Sequence, residues 1–469
     1  MTRHTLTILE ELRLAVERSV LRDECEYPAI LLCGRSSHID PWTGEREERF
    51  LAREFVEVDQ CMIQERTETG MTWSTTPFYN SLKRASSKDL AVAVVHSHPR
   101  GPLSFSPADD IAERELFQIA FNRLDSRRPH LSIVMDGEGN LVARAYYENL
   151  KPESVDLIRI VGNRWKYLAS DLCGGYQSPH ELDRQMRAFG RESTAILGRL
   201  RIGIVGCGGT GSAMAMLLAR IGVQRMVLFD ADRVEDTNLN RLHFSTRIDA
   251  NLRRLKVDVV GEGVANIGLP ISIVRVPHEA DTAQCRDALR SCDIVFGCTD
   301  DHLGRNVLNR LAHFYIIPVV DVGLLIEPND RGGYDAFDGR VTVVQPGYTC
   351  QVCRGLISSE RMLAEDMRRN DPDLYGERRR AGYVPNNPDP SPAVVTFTTE
   401  LATMAINELF QRLNGFRGPV GSCAERVRKF DEIKDADSVP GGKSRPACKL
   451  CGSRKYDGRG DMTPFLDQV

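Results

Sequence analysis

Long apolar runs are missing from this 469-residue chain. None approaches the ~18 residues of a membrane-spanning helix, and the longest, such as Leu90 to Val95, have the length of a buried strand. The N-terminal MTRHTLTILEELRLAVERSV lacks the unbroken apolar core of a signal peptide, because Glu and Arg interrupt it. A cytoplasmic protein with no membrane partner is expected. A surplus of positive charge is missing too: 61 Lys and Arg face 65 Asp and Glu, a net charge of −4, which leaves no basic field to hold nucleic acid. The thirteen cysteines are an odd number without a secretion signal, which argues against a disulfide framework. There is no internal repeat and no extended low-complexity tract.

What is present is ordinary globular composition, 42% hydrophobic and 27% charged, in a length that predicts two or three domains at about 150 residues each. Residues 1–150 read as one α/β unit, with a helix near 6–22, strands at 29–34 and 89–96, and a helix from Ala108. Gly and Pro clustering toward the end of 151–180 predicts a linker. From 181 to 455, strands such as RIGIVG, RMVLFDAD, DIVFGC and IIPVVDVG alternate with helices, predicting a Rossmann-like, doubly wound, mostly parallel sheet. The polar, Pro-rich 368–392 is expected to be a long surface loop, and 456–469 a C-terminal tail.

Two constellations carry chemistry. In HSHPRGPLSFSPAD, His96 and His98 end an apolar strand two residues apart, so both face one side. Asp109 follows at the start of a helix-like stretch. Two imidazoles and a carboxylate suit zinc and leave a position for water. Seven residues separate His98 from Ser106, and Asp109 lies three further on. This pattern resembles the JAMM motif of the JAB/MPN metalloproteases. The resemblance implies that His96, His98 and Asp109 hold a catalytic zinc, that Ser106 stabilises the oxyanion, and that a Glu on an early strand accepts the proton. Glu26 is best placed for that, with Glu24 open as an alternative.

The second constellation starts at GCGGTG (206–211), where Gly206, Gly208, Gly209 and Gly211 follow an apolar strand and open a helix, so that backbone N–H groups can face phosphates. Asp230 ends the next strand, where a ribose-binding acid belongs. DADRVEDTNLNR brings Asn238 and Arg241 near it, Lys256 lies beyond, and CTDD places Asp300 after a later strand. So much cationic charge suits a triphosphate with magnesium better than hydride transfer. The set resembles the MoeB/ThiF superfamily, which includes the nucleotide-binding domains of ubiquitin-activating enzymes. That resemblance implies that Asp230 binds the ribose of ATP, that Asn238 supports it, that Arg241 and Lys256 hold phosphates and that Asp300 holds Mg2+. Arg253 or Arg254 are alternatives to Lys256. Arg184, in RQMRAFG, would reach into a partner protomer of a homodimer. Cys350, Cys353, Cys448 and Cys451 form two C-x-x-C pairs, which in that family hold a structural zinc.

The implied reaction is adenylation of the C-terminal carboxylate of a ubiquitin-like, β-grasp protein, usually ending in Gly-Gly, with the peptidase trimming or deconjugating at the same tail. No cysteine occurs in 354–400, where conjugating relatives carry a thioester-forming one. Cys173, Cys207 and Cys423 remain as lone cysteines. A peptide-modifying adenylating enzyme with a leader peptidase is the alternative, as is a first unit that only docks the substrate.

Overall fold

A computed structural model describes residues 2–123, 128–169, 179–381, 392–432, 445–461 and 465–466. The first unit comprises β1 (Arg3–Leu9), α1 (Glu10–Val20), β2 (Pro28–Ile39), β3 (Arg46–Glu57), β4 (Ile63–Thr67), β5 (Gly70–Trp73), α2 (Thr76–Lys88), β6 (Ala91–His98), α3 (Pro107–Arg123), β7 (His130–Asp136), β8 (Leu141–Tyr146), β9 (Pro152–Ser154), β10 (Leu157–Val161) and β11 (Trp165–Leu168). Nine strands form one mixed sheet in the order β11-β10-β1-β3-β2-β6-β7-β8-β9, with β4 and β5 as a separate hairpin. Two expectations are corrected here. Residues 3–9 are a buried strand between β10 and β3, so the first helix starts only at Glu10. The expected linker contributes β9, β10 and β11 to the sheet, because the apolar runs around Gly162-Asn163-Arg164 pair as an antiparallel hairpin; residues 170–178 lie outside the described residues.

The second unit comprises α4 (Asp183–Arg199), β12 (Arg201–Val205), α5 (Gly209–Arg220), β13 (Arg225–Phe229), α6 (Arg247–Asn251), α7 (Lys256–Ala265), β14 (Ser272–Val276), α8 (Arg286–Ser291), β15 (Ile294–Gly297), α9 (His302–Phe314), β16 (Val319–Pro328), β17 (Tyr334–Val344), α10 (Ser359–Asn370), α11 (Pro372–Arg380), α12 (Val395–Asn414) and β18 (Glu425–Lys429). The sheet order is β14-β13-β12-β15-β16-β17-β18; its first five strands are parallel and the last two antiparallel. β12 is buried throughout, with Leu218 of α5 and Leu401 of α12 also in this unit's core. The surface-loop expectation for 368–392 is corrected over its first half. α10 and α11 are helical, capped by the side chains of Ser358 and Asp371, yet bury no residue, so no apolar stripe betrays them in the sequence. Residues 382–391 lie outside the described residues.

The two units meet across a buried ionic cluster. Arg201 Nη1 lies 2.9 Å from Asp40 Oδ2 and 2.8 Å from Glu47 Oε2. Arg159 Nε is 2.7 Å from Asp293 Oδ1, and Arg49 Nη2 is 3.2 Å from Glu47 Oε1. Burial alone would push both carboxyls up, but Arg201, Arg49 and Arg159 hold Glu47 and Asp293 well below the usual carboxylate range. The expected tail is partly a strap: Tyr456 is buried, Gly460 bridges to Arg35 of β2, and Asp461 pairs with Arg290 of α8.

Candidate active sites

The chain runs from β12 to β13 on one side and to β15 on the other, which opens a crevice at the carboxyl ends of these strands. The glycine loop fills it. Gly206 has φ +91°, and a Cβ on Gly211 would lie 1.8 Å from the Gly206 carbonyl oxygen, so only glycine permits this turn. Gly209 opens α5 against the Arg241 side chain, while Gly208 faces open space. Asp230 is held rigidly at the edge: Cys207 N donates to its Oδ2 at 2.6 Å and Asp232 N to its Oδ1 at 2.8 Å. Burial pushes the Asp230 carboxyl up.

Lys256 reaches the same place, with Nζ 2.7 Å from Asp232 Oδ2. Burial draws its amine down, but Asp230, Asp232 and Asp300 outweigh that and leave it raised. Arg254 is instead paired with Asp249 and Glu262, and Arg253 with Glu235. Asn238 Oδ1 accepts from Glu235 N at 3.1 Å, which makes it a local cap of the turn that presents Arg241. Asp300 is exposed beyond β15, within electrostatic reach of Lys256. Arg184 is not brought into this crevice. Its neighbours Leu182 and Gln185 rest on Gly222 and Ile221, between α5 and β13, at the opposite edge of the sheet.

The four paired cysteines converge. Cys350 Sγ is 3.8 Å from Cys448 Sγ, and Cys353 Sγ is 3.7 Å from Cys451 Sγ. Tetrahedral zinc with Zn–S of ~2.3 Å requires sulfur pairs ~3.8 Å apart, so this donor set fits that ion. Backbone N–H groups of Cys451 and Leu450 outweigh burial at Cys448 and draw its thiol down to about 6, which favours the thiolate a metal needs. The lone cysteines are poor nucleophiles: burial pushes Cys207 well up and Cys423 up to about 11. Cys173 lies outside the described residues.

In the first unit, β6 and the first turn of α3 bring His96, His98 and Asp109 together, their ligand atoms all within 4.8 Å. His96 Nε2 is 3.2 Å from Asp109 Oδ1, and His98 Nε2 is 3.7 Å from Asp109 Oδ2. His98 Nδ1 bonds the Pro102 carbonyl at 3.0 Å, which leaves Nε2 for a metal. Ser106 Oγ accepts from Asp109 N at 3.2 Å, and Ser106 N donates to Asp109 Oδ2 at 2.6 Å, so the serine also caps α3. Glu26, just ahead of β2, is buried with Oε1 3.6 Å from His98 Nε2; burial pushes its carboxyl up. Glu24 is exposed and pairs with Arg100, away from the histidines. The set fits a zinc ion.

The ThiF family model matches residues 182–450, more than half of the chain. The chain belongs to the ThiF family. Molybdopterin-synthase adenylyltransferase of Escherichia coli is 29% identical over 180 residues, 38% of this chain and 68% of that protein. SAMP-activating enzyme E1 of Haloferax volcanii is 27% identical over 178 residues, 37% of this chain and 62% of that protein. These matches thus span about two thirds of the relatives' length. Among solved structures, E. coli MccB with ATP aligns with a TM-score of 0.44 at 16% identity, over 61% of this chain and 77% of that one.

Around the crevice of this ThiF domain stand groups that no motif announces. Asp232 pairs with Lys256. Glu279 sits among Asp230, Asp232, Asp301 and Arg369, and burial with these carboxylates raises it. Glu365 and Arg369 arrive from α10. Only the extra acid in DAD was a visible signal; the others come from segments whose placement depends on tertiary packing.

Proposed function

We propose that the ThiF domain adenylates the C-terminal carboxylate of a ubiquitin-like, β-grasp protein ending in Gly-Gly, using ATP and Mg2+. The observation that carries this reading is the convergence of the glycine loop, Asp230, Arg241 and Lys256 at one crevice, together with the family match. Asp230, fixed by two backbone N–H groups, would receive the ribose hydroxyls. The α5 N-terminus, Arg241 and Lys256 would neutralise phosphate charge, with Asp300 on Mg2+. The partner's carboxylate attacks the α-phosphorus, the bond to the β,γ-pyrophosphate breaks, and acyl-adenylate forms; a carboxylate needs no general base, so positioning and charge carry the step. Arg184, remote from its own crevice, would act in the other protomer of a homodimer. Cys350, Cys353, Cys448 and Cys451 would hold a structural zinc.

In the first unit, His96, His98 and Asp109 would hold a second zinc, which when bound activates water and polarises a carbonyl. Glu26 would accept the water's proton and Ser106 would donate to the developing oxyanion, so that the tail is trimmed or released before it is adenylated. Intact mass spectrometry of candidate β-grasp proteins with this enzyme, with and without ATP and Mg2+, tests both parts. Shortening to Gly-Gly without ATP, lost in His96→Ala, is expected. A partner that is never shortened, or equal shortening by His96→Ala, overturns the peptidase reading.

A further inference from the structure

β14, β13, β12 and β15 are parallel neighbours, so the loops after them crown one edge of the sheet. Helix α10 is anchored on the outer two. At the β15 side, Glu365 accepts from the backbone N–H groups of His302 and Leu303 at 2.9 Å, in the first turn of α9. Ser358 N also donates to His302 Nδ1 there, at 3.2 Å. At the β14 side, Arg369 Nη1 holds both oxygens of Asp281, at 2.9 and 2.7 Å. The glycine loop after β12 and Asp230 after β13 lie between these anchors. Three strand spacings amount to ~14 Å, which one helical turn plus two extended side chains covers. Neither α10 nor α11 buries a residue, and the contacts that fix α10 at its two anchors are these polar latches.

We propose that α10 is a lid over the nucleotide crevice, latched by Glu365 on α9 and by Arg369 on Asp281, and that ATP is admitted when the Glu365 latch opens. The proposal rests on the nucleotide-binding reading above. The Glu365 carboxylate sits on the positive end of α9, beside Asp300 and Asp301, where it anchors the lid through charge-assisted bonds. When only a fraction of molecules is open, apparent affinity falls by that fraction, so weakening the latch raises it.

Glu365→Gln keeps the shape and removes the charge, and Arg369→Gln removes both the guanidinium and its charge at the other anchor. Two readouts apply to the full chain: hydrogen exchange of the α10 amides without nucleotide, and stopped-flow association of a fluorescent ATP analogue with Mg2+. Both variants are expected to exchange faster over 359–370 and to bind nucleotide on the order of tenfold faster than the wild type. Unchanged exchange in both variants overturns the latch. Faster exchange with unchanged association overturns the gating role. Faster exchange in a protein that binds no nucleotide in any form overturns the nucleotide-binding reading while the latch stands.

Discussion

Replacing Glu47 by Gln should be among the most damaging single changes away from the two sites. Glu47 is fully buried, and its oxygens lie 2.8 Å from Arg201, 3.2 Å from Arg49 and 3.5 Å from Arg159. Three buried guanidiniums there, with the partly buried Arg3 also 3.5 Å from Glu47 Oε2, face three carboxylates, Glu47, Asp40 and Asp293. The amide leaves this cluster with one more uncompensated buried positive charge, which costs ~3–5 kcal/mol. That is a large part of a typical stability of ~5–15 kcal/mol. Because the cluster joins the units, the loss should appear as uncoupling. Trp42 donates to the Ser272 carbonyl and Trp165 to Gln345, so two of the three tryptophans report the boundary. Urea unfolding followed by tryptophan fluorescence should show a midpoint shifted by the full amount in Glu47→Gln. The pair Glu47→Met with Arg201→Met, which removes one charge of each sign, should recover part of the loss. A loss below ~1 kcal/mol for Glu47→Gln would refute the reasoning.

Three further outcomes are expected. Burial pushes His130 down to about 3, and its Nδ1 accepts from Val92 N at 3.1 Å, so the folded chain keeps the ring neutral. Below pH 6.5 the unfolded chain binds a proton the folded one refuses, so stability falls with pH by ~1.4 kcal/mol per unit, about 2 kcal/mol at pH 5. His130→Asn should flatten that part of the pH profile; an unchanged slope in denaturation midpoints would exclude it. Gly211→Ala puts a methyl group 1.8 Å from the Gly206 carbonyl and should cost ~1–3 kcal/mol in thermal unfolding, with at least tenfold weaker ATP binding by calorimetry. Metal analysis of the purified chain should find two zinc ions, one lost in Cys448→Ser and the other in His96→Ala; a single ion, unaffected by one of these changes, contradicts the two-site assignment.

What the sequence made legible follows from local chemistry. The glycine loop sits between β12 and α5 and Asp230 directly after β13, as strand–turn–helix order demands, and the two C-x-x-C pairs carry their pairing in their own spacing. Lys256 was separable from Arg253 and Arg254 only through their partners Asp249, Glu262 and Glu235, which are brought near by folding. Residues 6–9 read as the start of a helix near 6–22 because the alternating Thr and apolar residues of β1 run straight into the apolar spacing of α1. α10 and α11 were invisible as helices for the opposite reason, since helices without a buried face have no period to detect. The ionic cluster between the units could not be read at all: Glu47, Arg49, Arg159, Arg201 and Asp293 come from distant segments that share only their final burial.

The most direct test of the central claim is ATP–pyrophosphate exchange with β-grasp proteins presenting a free Gly-Gly terminus. The account predicts exchange that needs Mg2+ and the partner's terminal carboxylate, and that collapses in Asp230→Ala and Lys256→Ala. Exchange supported by a short peptide but by no β-grasp protein, or binding of NADH in place of ATP, would contradict it.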